Sequence, residues 1–177
     1  MTRINLLPPS LLCDQHLLAE HRELTRIPNC VGKYNADKAP PDYVLGTGHV
    51  RFFLMRLAFL RKRYLALTSE CWRRGFKAVN NWPENIQRGQ NPSLDWWKDY
   101  EPTPAAMKAN IERVALRMPP KPRFSGKYVG RDDAVSACLA LLVKPATKQS
   151  NVTNKPVNPQ EKQNGQSSSK ISSKKRR

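Results

Sequence analysis

The sequence predicts an all-α fold: a compact single domain of three main helices joined by long irregular loops, with a disordered basic C-terminal tail. Three observations predict it. Val50, Phe53, Leu57, Leu60, Tyr64, Leu67 and Cys71 recur at alternating steps of three and four, the period of a helix with one buried face. Thr103-Pro104 places a capping residue before a proline at the first helical position, and Met107, Ile111, Val114 and Met118 continue as an apolar stripe. From Pro145 onward the chain is rich in Asn, Gln, Ser, Lys and Pro and nearly lacks apolar residues, so it cannot bury enough surface to offset the entropy of ordering.

Taken in order, Ser10 is the expected N-cap of a first helix that Pro28 closes. At roughly 100° per residue, Cys13, Leu17, His21 and Leu24 share one arc, whereas His16, Ala19, Arg22, Glu23 and Arg26 share the opposite one. The first arc packs; the second collects the candidates for chemistry, although any amphipathic helix has a polar face. Residues 28–46 read as a loop. The second helix is expected from Gly48 to Arg74, stopped by Gly75, with His49 structural or capping. Its other side carries Arg51, Arg56, Arg61, Lys62 and Arg63, either a solvated face or a set of phosphate contacts. Residues 76–101 show no period and read as an irregular segment anchored by Trp82, Trp96, Trp97 and Tyr100. Pro119-Pro120 ends the third helix, on which Arg113 and Arg117 lie one turn apart, a spacing suited to adjacent phosphates. Asp132 to Val143 reads as one further short helix capped by Asp132.

The chain of 177 residues carries 31 Lys and Arg against 14 Asp and Glu, a net charge of +17. That excess favours a polyanionic partner, nucleic acid before an anionic membrane surface. The longest apolar run, Ala137 to Val143, is far short of the roughly 20 residues of a membrane span, and no secretory signal is visible. Cys13, Cys30, Cys71 and Cys138 form no C-x-x-C knuckle, and His16, His21 and His49 complete no zinc pattern. No metal and no cofactor are expected, and the thiols are expected to stay reduced in an intracellular setting. The terminal Lys174-Lys175-Arg176-Arg177 resembles a nuclear localisation signal and equally a plain DNA-binding end.

The first residues carry the sharpest chemistry. Thr2 follows Met1, so removing the initiator exposes a small residue with a free α-amine, whose pKa is about 8, well below that of lysine. Arg3, Arg22 and Arg26 would lower it further by disfavouring the ammonium form. An amine poised beside Glu23 and three cations suits imine formation at a sugar carbon.

Met1-Thr2-Arg3-Ile4-Asn5-Leu6, Asp14-Gln15-His16-Leu17, and Arg22-Glu23-Leu24 with Arg26 resemble the pyrimidine-dimer DNA glycosylase/AP lyase family. Leu45-Gly46, Gly48-His49-Val50, Phe52-Phe53, Phe59-Leu60-Arg61-Lys62-Arg63, Glu70-Cys71, Arg74-Gly75-Phe76, and Asp99-Tyr100 with Pro102 continue the match in order. The resemblance covers roughly residues 2–131. It implies a catalytic domain over 1–131, leaving 132–144 as a helical extension and 145–177 as the basic tail. It implies a monomer that acts on duplex DNA containing pyrimidine dimers or abasic sites. The Thr2 amine is then the nucleophile, and Glu23 the carboxylate that stabilises the cationic sugar and assists proton transfer. Arg22 and Arg26 hold Glu23 ionised and grip phosphates. Arg3, His16, Lys33, Arg113, Arg117, Lys121 and Lys127 complete the expected DNA contacts. Arg117 stands where the family has a lysine, and the segment 124–131 keeps Phe124, Lys127 and Tyr128 but has about half of the family's aromatic content. Two other readings stay open: the same scaffold acting on a different main lesion, and a non-enzymatic basic nucleic-acid-binding module.

Residues 145–177 hold eight Lys and Arg against Glu161, a net +7. Each phosphate neutralised adds about −0.9 to the slope of log K against log salt on duplex DNA. Removing Pro145–Arg177 is expected to leave cooperative unfolding intact and make that slope shallower. An unchanged slope in filter-binding titrations would show that the tail does not touch DNA.

Overall fold

A computed structural model of the chain describes residues 4–34, 36–87 and 94–143. Thr2 and Arg3, and the tail expected over 145–177, lie outside the described residues. The fold is mostly helical. Its elements are α1 (Asp14–Leu24), α2 (His49–Leu54), α3 (Leu57–Arg73), α4 (Pro104–Leu116), a hairpin of β1 (Arg123–Phe124) and β2 (Lys127–Tyr128), and α5 (Arg131–Leu139). Helix α1 packs on α3, and α5 packs on α4. The core between them holds Leu17, Leu24, Phe52, Phe53, Leu57, Leu60, Tyr64, Leu67, Ile111 and Val114. The periodic stripe of the second helix is therefore the core face, with Val50 half-buried at its start.

Several boundaries depart from the sequence reading. Helix α1 begins at Asp14 and not after Ser10, because Pro9–Leu11 forms a tighter 3-10 turn. The Arg74 guanidinium holds this turn: it donates to the carbonyls of Pro9, Ser10 and Leu12 at 3.2, 3.1 and 2.8 Å, while Leu12 N–H closes the 3-10 turn on Pro9 O at 3.1 Å. The expected helix over 48–74 is two helices broken at Met55-Arg56. Arg56 N–H donates to Phe53 O (2.9 Å), while the Arg56 side chain takes the carbonyl of Phe52 at 2.7 Å. A side chain thus supplies the donor that the backbone would have given, and the guanidinium also lies 3.6 Å from the Phe52 ring centroid. Gly75 does end α3: at φ 80° it closes a Schellman motif, with Phe76 N–H on Cys71 O and Gly75 N–H on Trp72 O.

Thr103 caps α4 as expected, its hydroxyl accepting from Ala106 N–H at 3.1 Å. Residues 123–128 form a hairpin that periodicity did not reveal. Ser125 and Gly126 both have positive φ, 50° and 81°, as a two-residue type I′ turn requires. Helix α5 starts after Gly130 and not at Asp132.

The basic run on α3 is not one uniform face. Lys62 pairs with Asp99, Arg61 lies over the Trp82 ring, and Arg63 is buried. Arg63 forks onto Glu20 with Nε–Oε1 at 2.8 Å and Nη2–Oε2 at 2.9 Å, its side chain 6% and that of Glu20 1% exposed. Removing one member of such a pair leaves an uncompensated buried charge. Arg63→Met is expected to destabilise the fold by about 3–5 kcal/mol in urea unfolding. Arg63→Lys, which keeps the charge but not the fork, recovers only part. A loss within experimental error of zero would show that the pair does not hold the helices in place.

Candidate active site

The site is assembled around an extended N-terminal segment whose backbone groups are taken by buried side chains. Ile4 N–H donates to His49 Nε2 at 3.0 Å, and His49 Nδ1 lies 2.7 Å from Val44 O. A carbonyl only accepts, so Nδ1 carries the hydrogen and Nε2 is free to accept, which fixes a neutral tautomer. Asn5 N–H donates to Glu20 Oε1 (3.1 Å) and Asn5 Nδ2 to Glu20 Oε2 (2.8 Å). Leu6 N–H donates to Asn110 Oδ1 at 2.9 Å, and Leu7 O accepts from Arg63. His49 is structural, as expected from sequence. Glu20, Asn5 and Asn110, which fix the site, were not singled out by it.

Beside this segment lies a pocket of about 170 Å³ lined by Asn5, His16, Ala19, Glu20, Glu23, Arg113, Val114 and Arg117. Helix α1 supplies His16, Ala19, Glu20 and Glu23, at steps that keep them on one side of the helix. Helix α4 and its C-cap, Arg117, supply the two arginines and Val114. Glu20 is committed: its two oxygens accept four hydrogen bonds, two from Asn5 and two from Arg63. Glu23 is the other carboxylate that lines the pocket. Its side chain is 38% exposed, with Arg26 Nη1 at 3.8 Å. Arg113 Nη1 donates to Asn5 Oδ1 at 3.0 Å, so the N-terminal segment, α1 and α4 are linked through one asparagine.

His16 is partly buried, with Nε2 3.0 Å from Arg117 O. Nε2 therefore holds the hydrogen, and Nδ1 has no hydrogen-bond partner among the described residues. Burial chiefly lowers its pKa; the Arg117 carbonyl and Glu20 oppose this, and Arg113 adds to it.

Of the residues expected from sequence, His16, Glu23, Arg113 and Arg117 come together in the pocket wall, and Arg26 joins through Glu23. Arg22 is exposed on α1 and does not line the pocket; neither do Lys33, Lys121 and Lys127. Lys33 sits in the turn after Pro28–Cys30, Lys121 offers its carbonyl to Gln15 Nε2 (2.7 Å), and Lys127 is exposed on β2. A larger groove of about 690 Å³ adjoins, sharing Arg113 and Arg117 with the pocket. No helix among the described residues is long and apolar enough to cross a membrane.

The family model for pyrimidine dimer DNA glycosylase matches residues 1–84. The match spans the N-terminal segment, α1 and α3, and ends before α4, so Arg113 and Arg117 lie outside it.

The lowered pKa of His16 has a consequence for stability. In the unfolded chain His16 takes up a proton near its ordinary value of 6.5; in the folded protein it resists until a lower pH. The unfolded state then binds more protons, so stability falls as pH drops from 6.5 through the folded value. NMR titration is expected to place the His16 midpoint below 6.5, and His16→Gln to flatten the stability profile in that window. A midpoint at or above 6.5 would contradict the assignment.

Proposed function

We propose, for a chain whose residues 1–84 match the family model for pyrimidine dimer DNA glycosylase, a bifunctional glycosylase and AP lyase that works through its N-terminal amine. The observation that carries this reading is the position of Asn5, held in the pocket wall by Glu20 and Arg113. Three residues span at most about 11 Å between Cα atoms. That reach is short enough for an amine at Thr2 to serve the pocket that Glu23 and His16 line.

In the proposed reaction the neutral Thr2 amine attacks C1′ of the 5′ nucleotide of the dimer, and the glycosidic bond breaks with its electrons on the departing base. Sugar ring opening gives an imine between protein and C1′. Loss of a C2′ proton then expels the 3′ phosphate by β-elimination and nicks the strand. The Glu23 carboxylate offsets positive charge as it develops on the sugar and relays protons in ring opening and elimination. Arg113 and Arg117 on one wall, and Arg22, Arg26 and Arg3 from the N-terminal side, offer donors to the flanking phosphates. Lys33, Lys121 and Lys127 extend this basic surface. Duplex DNA that carries a dimer is easier to kink, which favours it over intact sequence.

A second reading keeps this chemistry and changes the main lesion. It draws on the hairpin, where Phe124 is half-buried and Tyr128 is 68% exposed with the Arg123 guanidinium 5.8 Å from its ring centroid, so one large aromatic ring is exposed there.

Borohydride reduction on a dimer-containing duplex and, in parallel, on an abasic duplex decides among these. The expected product is a covalent adduct whose sequenced peptide begins at Thr2, with Glu23→Gln binding damaged DNA but forming adduct at least 100-fold more slowly on the dimer substrate. Trapping on the abasic duplex alone would favour the other-lesion reading. Binding with no adduct on either would leave a non-enzymatic module, and an adduct on a lysine would sink the Thr2 assignment.

A further inference from the structure

We propose that Leu116 is an apolar wedge that enters the base stack beside the lesion, a specificity-determining role that rests on the glycosylase reading above. Leu116 is 76% exposed at the last residue of α4. A single exposed leucine on a soluble protein needs no explanation. Three features set this one apart.

The first is its mounting. The residues around it are fixed: Val114 and Ala115 are 2% and 4% exposed, and Met118 is 6% exposed. The carbonyl of Arg117 accepts from His16, the carbonyl of Met118 accepts from Arg131 Nε at 3.3 Å, and Met118 N–H closes on Ala115 O at 3.1 Å. The side chain is exposed, but the backbone that carries it is tied to α1 and to the start of α5. A wedge that is to hold bases apart needs such a mount, because a mobile one would yield before the stack does.

The second is its place. Leu116 lies between Arg113 and Arg117, which both line the pocket that holds His16 and Glu23. The same three residues line the adjoining groove, with Leu45, 40% exposed, as a further apolar residue. The third is charge. An apolar tip flanked by two guanidiniums, on a chain of net charge +17, fits a polyanion whose interior is apolar. Duplex DNA has that build, with phosphates for the arginines and stacked base faces for the leucine. Proteins that kink DNA use Leu, Phe, Ile, Met or Pro in this way, spending a few kcal/mol per unstacked step to expose a deformed strand.

The pocket's size points the same way. At about 170 Å³ it lies well below the ~300–1,000 Å³ of sites that enclose a whole small ligand. It admits a sugar carbon more readily than a pair of linked bases, so the DNA must be opened for the reacting carbon to arrive. Opening costs least where the stack is already interrupted, as at an abasic site.

The test separates opening from chemistry. Leu116→Ala is expected to keep the wild-type Tm, since the side chain is exposed. Its single-turnover rate on dimer DNA, divided by its rate on a preformed abasic duplex, is expected to fall at least ten-fold; Leu116→Met restores most of the ratio. A chemistry-independent arm uses 2-aminopurine placed beside a stable tetrahydrofuran abasic analogue. Wild type should raise its fluorescence on binding, and Leu116→Ala should not. An unchanged rate ratio together with an unchanged fluorescence rise would overturn the wedge. Absence of any imine adduct with the wild-type protein would instead overturn the enzymatic reading, and the fluorescence arm would still decide whether Leu116 opens the stack.

Discussion

The buried pair of Glu20 and Arg63 is the constraint on which the rest of this structure depends. Neither ion could be buried alone, since the effective penalty is several kcal/mol for each. They reach the interior together because each oxygen and most of the donors find a partner. Glu20 takes the Arg63 fork and both nitrogens of Asn5, while Arg63 also takes the carbonyl of Leu7. A buried pair of this kind adds little net stability over well-packed apolar residues, but it admits one geometry. That geometry fixes the backbone of residues 4–7 against α1 and α3, and Asn5 passes the constraint on to Arg113 and α4.

A second buried cluster repeats the device at the other end of α1. Asp14 accepts from Arg74 at 2.8 Å and from the backbone N–H groups of Ser125 and Gly126 at 3.0 and 2.8 Å. Arg74 also bonds Glu70 at 2.7 Å. The carboxyl of Glu70 is held below its ordinary value, first by the Arg73 hydrogen bonds and then by those of Arg74, against the opposing effect of burial. The turn of the hairpin is thus held by a carboxylate on α1 and not by a core of its own. Two strands of two residues each would not stand alone. The same carboxylate thus ties the hairpin turn to α1 and, through Arg74, to the end of α3.

Much of this was legible in the sequence. The apolar stripes of α3 and α4 gave the core, Thr103-Pro104 gave the start of α4, and Gly75 gave the stop of α3. His16, Glu23, Arg113 and Arg117 were singled out and meet in one pocket. Two misplaced helix boundaries share a feature: arginines whose side chains bind backbone carbonyls. Arg56 and Arg74 interrupt helical ladders that periodicity alone would continue, and no pattern of apolar residues records that. The Glu20–Arg63 pair did leave a trace. Glu20 follows Leu17 by three residues and Arg63 follows Leu60 by three, so each lies within roughly 60° of an apolar stripe on its helix. Opposite charges at matched edges of two facing stripes could have been read as a buried pair. The arcs were drawn without Glu20, and Arg63 was grouped with the solvated cations. The type I′ turn at Ser125-Gly126 was missed because its flanking strands are too short to show alternation.

On the proposed chemistry, the two ionic clusters divide the labour between protein and DNA. Much of the pocket wall is built from groups tied to one another: Asn5 to Glu20 and Arg113, and His16 Nε2 to the Arg117 carbonyl. Such a wall cannot relax to fit a substrate without breaking buried charge-assisted hydrogen bonds, each harder to replace in the interior than in water. Deformation must then occur in the partner that deforms more cheaply, and a duplex interrupted by a lesion is that partner. A rigid site beside a pliant substrate discriminates by the energy of bending rather than by base contacts. It follows that the residues that set selectivity need not touch the damaged bases at all. They need only favour the bent duplex over the straight one, as a wedge beside the lesion does.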